Sequence, residues 1–436
     1  MGFRSPLLSS LFTLCITLLA QPSNGASTAR PYSARMADSI ILRGQAILEN
    51  QADSSSLLQV GAFQTALLDL VESPSGRYMV QDWESYLSRS TDSVVVVVNN
   101  ATKDTGYPLD RLSVGKGLFY QYENTGSSTY KDALTALRTS IDLQPRNEWG
   151  KLVPCQGIAT SLLVPHQFLK LARAFTETDT GGLWYYVYPY WSYLDGMFSL
   201  LSFYPLYTSH LDFDNTTSVN SDIFHQLELL WEHCHDESTG LLFHGYDATK
   251  TASWANPTTG ASPFVWGRAL GWFMMGLVDL LELHLMDSRV LTWRARFVDL
   301  VDSIVDAVEP ASGCWWQVIS APGREGNYIE SSASTMFTYT LYKGVRLGLL
   351  HDGETSSQAR NYTQVAARAY NSLVDRFVVE NPDETLSYNG TVSVCSLNST
   401  ASYEYYTTRP LLYDSVLGSA AFVRASVEHE LRHQNS

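Results

Sequence analysis

The chain has 436 residues, 45% of them hydrophobic and 12% aromatic, with a formal charge of −15. That is apolar material for one large core or two ordinary ones, and the acidic balance excludes a nucleic-acid partner, which requires a basic face. An anionic substrate must therefore meet a local cation against the overall field.

Arg4 precedes an apolar run from Leu7 to Ala20, followed by small and polar residues through Ala26, the pattern of a cleaved secretory leader over residues 1–25. The run is roughly 14 residues, short of the ~20 that cross a bilayer as a helix. A secreted, extracellular product without a membrane anchor is expected, at −16 once Arg4 leaves (−15 minus 1). No low-complexity linker divides residues 26–436, which read as a single domain. N-glycans are expected at the Asn-x-Ser/Thr sites Asn100, Asn215, Asn361, Asn389 and Asn398, provided the chain passes through a eukaryotic secretory pathway. Cys15 leaves with the leader; Cys155, Cys234, Cys314 and Cys395 show no C-x-x-C spacing and suit isolated bridges or free thiols better than a metal.

Val94 to Val98 is a β-branched run that favours strand, but packing is expected to turn it into helix. Tyr130, Leu134, Leu137 and Ile141 follow caps at Ser128 or Thr129, and Pro145 stops the run. Helical spacing recurs in Phe273, Leu277, Leu280, Leu281 and His284; in Phe297, Leu300, Val301, Ile304 and Val308; in Met336, Phe337, Leu341, Val345 and Leu349; and in Val365, Ala369, Leu373 and Phe377. The chain reads as successive helical hairpins. Near the C-terminus, Leu386 and Tyr388 with Val392 and Val394 around Asn389-Gly390 suit a small β-hairpin.

Loops dense in rings separate these helices, and function concentrates in such loops on a rigid scaffold. In Gly181-Gly-Leu-Trp-Tyr-Tyr-Val-Tyr-Pro-Tyr-Trp-Ser-Tyr-Leu-Asp195, a carboxylate among rings is partly desolvated, which raises its pKa and fits it for general acid work. The plainer reading makes Asp195-Gly196 a turn or helix cap. In Trp254 to Trp272, indoles offer faces to sugar rings and Arg268 offers a two-point grip on a carboxylate; equally, Trp266 and Trp272 suit the core and Arg268 an internal Asp. His244 taken alone is an ordinary hydrogen-bonded histidine, and Asp110 taken alone is a helix cap. His233-Cys234-His235 does not face one way on a helix, so no metal is expected there. No nucleophile elbow, zinc-protease, P-loop or dinucleotide-binding motif is present.

Taken together, Tyr193-Leu-Asp-Gly-Met-Phe, Leu242-Phe-His-Gly-Tyr-Asp, Phe264-Val-Trp-Gly-Arg-Ala-Leu-Gly-Trp-Phe-Met-Met-Gly-Leu-Val-Asp, Asn327-Tyr-Ile-Glu-Ser-Ser-Ala-Ser-Thr-Met-Phe-Thr-Tyr and Gly418-Ser-Ala-Ala-Phe-Val-Arg-Ala-Ser resemble glycoside hydrolase family 105. These are the unsaturated rhamnogalacturonyl hydrolases, related to the unsaturated glucuronyl hydrolases of family 88, and the matching blocks run in order from about Gly61 to Glu428. The resemblance implies an all-α fold, an (α/α)6 barrel, with no metal or organic cofactor. The implied substrate is an unsaturated uronyl oligosaccharide whose terminal C4=C5 bond makes the ring a vinyl ether.

Carried over position by position, Asp195 matches the catalytic proton donor and Asp110 a second active-site carboxylate. His244, Trp266, Arg268, Trp272 and Tyr193 match binding positions, with Arg268 on the sugar carboxylate. Trp184-Tyr185-Tyr186 stands where Trp-His-Lys is common in bacterial members, and Tyr193 where Trp is common, which leaves subsite preference open. Residues at about 150–181 have no counterpart in the family pattern and are either a true insert or translated intron. The same chemistry on unsaturated glucuronyl ends is the nearest alternative function; a non-catalytic carbohydrate binder on the same scaffold is the alternative of another class.

Overall fold

Apolar residues at helical spacing produce helices here, and how many sides of each helix are apolar decides its layer. The computed structural model describes residues 30–48, 55–73, 80–147, 180–283, 285–353 and 360–434. The longer helices are α1 (Tyr32–Leu42), α2 (Ser56–Glu72), α3 (Val80–Val95), α4 (Gly115–Thr125, led in by a 3-10 turn at Leu109–Val114), α5 (Ser128–Asp142), α6 (Gly196–Leu211), α7 (Thr216–Cys234), α8 (Gly267–Glu282), α9 (Arg289–Asp306), α10 (Ser331–Arg346), α11 (Tyr362–Phe377) and α12 (Val416–Gln434).

The even-numbered helices close a ring, each packed on the next and α12 returning to α2; α3, α5, α7, α9 and α11 each cover the helix before them from outside, and α1 covers α12. Sequence matches position. In α8 every residue from Gly267 to Leu281 is buried, as an inner helix requires. In α11 only Tyr362, Thr363, Ala366, Ala369, Tyr370 and Leu373 are buried, a single stripe. This is the six-hairpin helical toroid, the expected (α/α)6 barrel, and Pro31–Ser436 forms one compact unit.

Caps follow the same local logic. Ser127, one residue earlier than expected, caps α5 by accepting from Thr129 N–H, and Glu330 and Asn361 cap α10 and α11 through Ala333 and Gln364 N–H. Two expectations need correction. Helix α3 stops at Val95: Val97 N–H closes a tighter three-residue turn on the Val94 carbonyl, and Val96 to Val98 leave the helix through it. The hairpin at Asn389-Gly390 does not form: β4 (Leu386–Tyr388) pairs with β3 (Val378–Glu380), and β5 (Thr391–Val392) with β6 (Leu411–Leu412). The reason is competition for backbone groups, since Phe377 C=O takes Asn389 N–H and the Glu330 carboxylate takes Val392 N–H.

Residues 1–25, the segment 148–179 with Cys155, and His284 lie outside the described residues. Cys234, Cys314 and Cys395 are buried free thiols. No helix among the described residues is long and apolar enough to cross a membrane.

Candidate active site

Asp195 and Trp266 stand at the N-terminal ends of α6 and α8, where the ring-rich loops meet the barrel. There a short antiparallel ribbon joins two loops: β1 (Trp191–Tyr193) pairs with β2 (Gly245–Asp247) in a register that sets Tyr193 opposite Gly245. Only glycine fits at 245, because a Cβ there would lie 2.4 Å from the Ser192 carbonyl oxygen. Beyond the ribbon, Leu194 N–H donates to His244 C=O at 3.0 Å, which leaves Asp195 and His244 side by side. Asp195 occupies the N-cap position of α6, yet its side chain makes no capping bond. Half of the plainer reading therefore holds for the backbone, while the carboxyl is free for other work.

Asp110 arrives from the other side on the 3-10 turn before α4. That turn is pinned by Arg111, buried to 0% exposure, whose guanidinium donates to Ser140 Oγ, Ser140 C=O, Gln144 Oε1 and Tyr107 C=O at 2.9–3.0 Å. Leu109 N–H donates to Tyr185 C=O at 2.8 Å and so fastens the turn to the ring-rich loop. Asp110 is not a cap: its Oδ2 accepts from Tyr185 Oη at 2.6 Å, and its buried Oδ1 has no hydrogen-bond partner among the described residues.

A cleft open to solvent brings together Asp195, Asp110, Tyr193, Trp266, Arg268 and Trp272. His244 is not on that wall. It is fully buried behind Asp195, with Nε2 3.1 Å from Asp195 Oδ2 but off the alignment of a regular hydrogen bond, and Nδ1 2.8 Å from Tyr406 Oη. Of the expected binding residues, His244 is thus the one set behind the lining, in contact with Asp195.

Arg268 also differs from expectation. Its Nη1 donates to Val392 C=O and its Nη2 to Ser393 C=O at 2.8 Å, while the guanidinium lies 4.8 Å over the Trp266 ring. It forms no ion pair with a carboxylate among the described residues, contrary to the internal-Asp reading. The charge thus stays available at the wall, in a head held rigid by the loop that carries Cys395 and Ser396 to the cavity.

Electrostatics make the carboxylates a pair. Burial lifts the Asp110 carboxyl from 3.8 to about 7, the Asp195 charge pushes the same way, and the Tyr185 hydrogen bond and Arg111 pull back. Burial also lowers the Arg111 guanidinium to about 10. The Asp110 carboxyl therefore keeps its proton close to neutral pH.

Tyr185, Tyr406 and the Val394–Ser396 loop were not foreseen as site residues. Tyr185 belongs to a ring-dense loop, but nothing in its spacing ties it to Asp110, 75 positions earlier. Tyr406 lies 162 positions from His244, and a fold is needed to join them. His233 Nδ1 is 2.7 Å from Thr259 C=O and its ring stacks on Tyr246; among the described residues no group of three or more His, Cys, Asp or Glu gathers as a metal site would.

The sequence pattern of Glycosyl Hydrolase Family 88 matches residues 33–432. A family 105 glycoside hydrolase of C. acetobutylicum superposes with a TM-score of 0.72 at 27% identity, over 92% of this chain and 99% of that one. An unsaturated glucuronyl hydrolase from Bacillus sp. GL1 superposes at 0.58 with 12% identity, over 91% of this chain and 95% of that one, and so shares the fold. A 24.9 kDa protein of the picA locus of Rhizobium radiobacter is 34% identical over 198 residues, 44% of this chain and 83% of that one. The chain belongs to glycosyl hydrolase family 88, shares its helical toroid with family 105, and is a glycoside hydrolase.

Proposed function

We propose that the chain releases the terminal 4,5-unsaturated galacturonic acid from rhamnogalacturonan-derived oligosaccharides. Asp195 donates a proton to C4 of the vinyl ether, which leaves positive charge at C5 shared with the ring oxygen. Water adds at C5 as the Asp195 carboxylate takes its proton back, the resulting hemiketal opens, and the glycosidic bond falls apart. Asp110 holds the second acid group, Arg268 receives the sugar carboxylate, and Trp266, Trp272 and Tyr193 provide faces for the ring.

The observation that carries this reading is two buried carboxylates facing one cavity with an arginine and two indoles. An acid that keeps a proton near pH 7 is what a vinyl ether needs. The galacturonyl choice over glucuronyl is supported by the 27% identity to the family 105 enzyme, against 12% to the glucuronyl hydrolase. Incubation with a panel of lyase-generated disaccharides tests it: the alkene absorbance disappears with the galacturonyl-rhamnose substrate, whereas bleaching confined to glucuronyl ends would reassign the substrate.

Export with N-glycosylation is part of the proposal. Its support is that Asn100, Asn215, Asn361, Asn389 and Asn398 are all exposed, since a sequon must reach solvent to be used. A mass shift on endoglycosidase treatment of the protein from its native host is expected; an unshifted mass refutes it.

A further inference from the structure

His244 is boxed by rings, with Tyr193 edge-on at 5.2 Å, Trp266 at 4.8 Å and Tyr406 at 6.0 Å. An imidazole so enclosed keeps one orientation, and its two nitrogens meet different partners: Tyr406 Oη at Nδ1, Asp195 Oδ2 at Nε2. Tyr406 is itself fixed. It sits in the single turn Tyr403–Thr407 with its carbonyl accepting from Gln317 Nε2 at 3.0 Å, and Gln317 Oε1 accepts from Trp266 Nε1 at 3.2 Å. One glutamine therefore ties the wall indole to the tyrosine behind the histidine.

The Tyr406 hydroxyl is buried and keeps its proton, its pKa pushed well above 10 by desolvation. Nδ1 is its hydrogen-bond partner among the described residues. An O–H donated to Nδ1 leaves the ring proton on Nε2, 3.1 Å from Asp195 Oδ2 and a small ring rotation away from a regular hydrogen bond. The opposite tautomer would set the Nε2 lone pair against Oδ2, tolerable only with a proton on Oδ2, an oxygen shut off from the cavity.

We propose that Tyr406 is a positioning residue: it fixes the neutral Nε2–H tautomer of His244, which claims Asp195 Oδ2 and leaves Oδ1 to carry the proton delivered to substrate. The inference rests on Asp195 as proton donor. In the step, the Oδ1–H bond breaks as the C4–H bond forms, and the new carboxylate keeps the His244 N–H on Oδ2. Oδ1 then takes a proton from the water that bonds to C5, which restores the acid.

The groups facing Asp195 are His244, Asp110, Tyr185, Tyr193, Cys395 and Tyr406, with Arg268 on the same wall. Removing the Tyr406 hydroxyl alters one of them directly. It takes away the donor at Nδ1, so the Nε2–H tautomer is no longer enforced and Oδ2 is no longer marked off from Oδ1.

Tyr406→Phe is expected to lower kcat about tenfold with KM changed less than about threefold. In a His244→Gln background, where an amide N–H replaces the ring and no tautomer is left to fix, the same change should cost kcat little. A Tyr406→Phe kcat equal to that of the unaltered protein, or an equal loss in both backgrounds, overturns the proposal. Nitrogen-15 resonances of His244 in the unaltered protein give an answer that needs no variant: Nδ1 should resonate as a bare acceptor and Nε2 as N–H, and the reverse pattern overturns it. If the unaltered protein bleaches no unsaturated uronide, the substrate assignment fails, while the nitrogen pattern still decides the tautomer.

Discussion

Near the C-terminal ends of α8 and α10, Asp279 accepts from Lys343 Nζ at 2.6 Å and Tyr339 Oη at 2.7 Å, and pairs with Arg424 at 3.1 Å and Lys116 at 3.7 Å. At the N-terminal mouth, about 20 Å away at 1.5 Å per residue of α8, Asp110 has one hydroxyl donor and a second carboxylate for company. Both aspartates are buried, and desolvation pushes both upward. Three cations overwhelm it at Asp279 and hold that carboxyl well below its ordinary range, whereas Asp110 rises to about 7. Neighbours, not burial, decide whether a buried acid holds the barrel together or stores a proton.

The contrast can be tested from both ends. Asp279→Asn removes the carboxylate shared by Lys343, Arg424 and Lys116, leaving Glu282 on Lys343 and Asp69 on Arg424, and should cost about 3 kcal/mol of stability at pH 7, read as a lower denaturant midpoint; an unchanged midpoint would mean that the cluster contributes nothing. Because the Asp279 pKa is depressed, its stabilisation is present above the unfolded pKa near 3.8 and is lost only as pH falls through the lower folded value.

Asp110 has the opposite sign. Its pKa is raised, so it costs nothing below the unfolded value of 3.8, and the cost accumulates as pH climbs to about 7. Asp110→Asn should therefore gain stability at pH 8, by at most a few kcal/mol, and none near pH 3, while turnover falls. A gain that is the same at both pH values would remove the desolvation argument.

Arg268→Ala should raise KM about tenfold or more, with a smaller loss in kcat because the Val392–Ser393 loop also loses its anchor; an unchanged KM would place the sugar carboxylate elsewhere. The smallest effect is expected from excising residues 148–179. Asn147 N–H donates to Gly182 C=O at 2.8 Å and Gly181 N–H to Asn147 C=O at 2.7 Å, so the chain leaves and returns at one point. A short Gly-Ser linker there should preserve melting temperature and turnover. Loss of either would make the segment part of the working enzyme.

Much of this was readable before the fold was known, for stated physical reasons. The helices announced themselves through periodicity, and Asp195 through the rings packed into a dozen neighbouring residues. What periodicity does not carry is which loop ends meet. The Asn389-Gly390 strands found other partners, His244 turned its back to the cavity, and Arg268 spent two donors on carbonyls 124 and 125 positions away. Long-range contacts also set the proton balance: the lift at Asp110 comes from burial by the barrel and from Asp195 brought beside it, while Tyr185 from the same ring-rich loop pulls against it.

The account stands or falls on Asp195 as the proton donor. Turnover of the unsaturated disaccharide by Asp195→Asn, followed by alkene absorbance alongside direct binding, tests it. The expected result is a kcat lower by about a thousandfold or more with substrate still bound at close to its original affinity. Bleaching at the rate of the unaltered protein would contradict it.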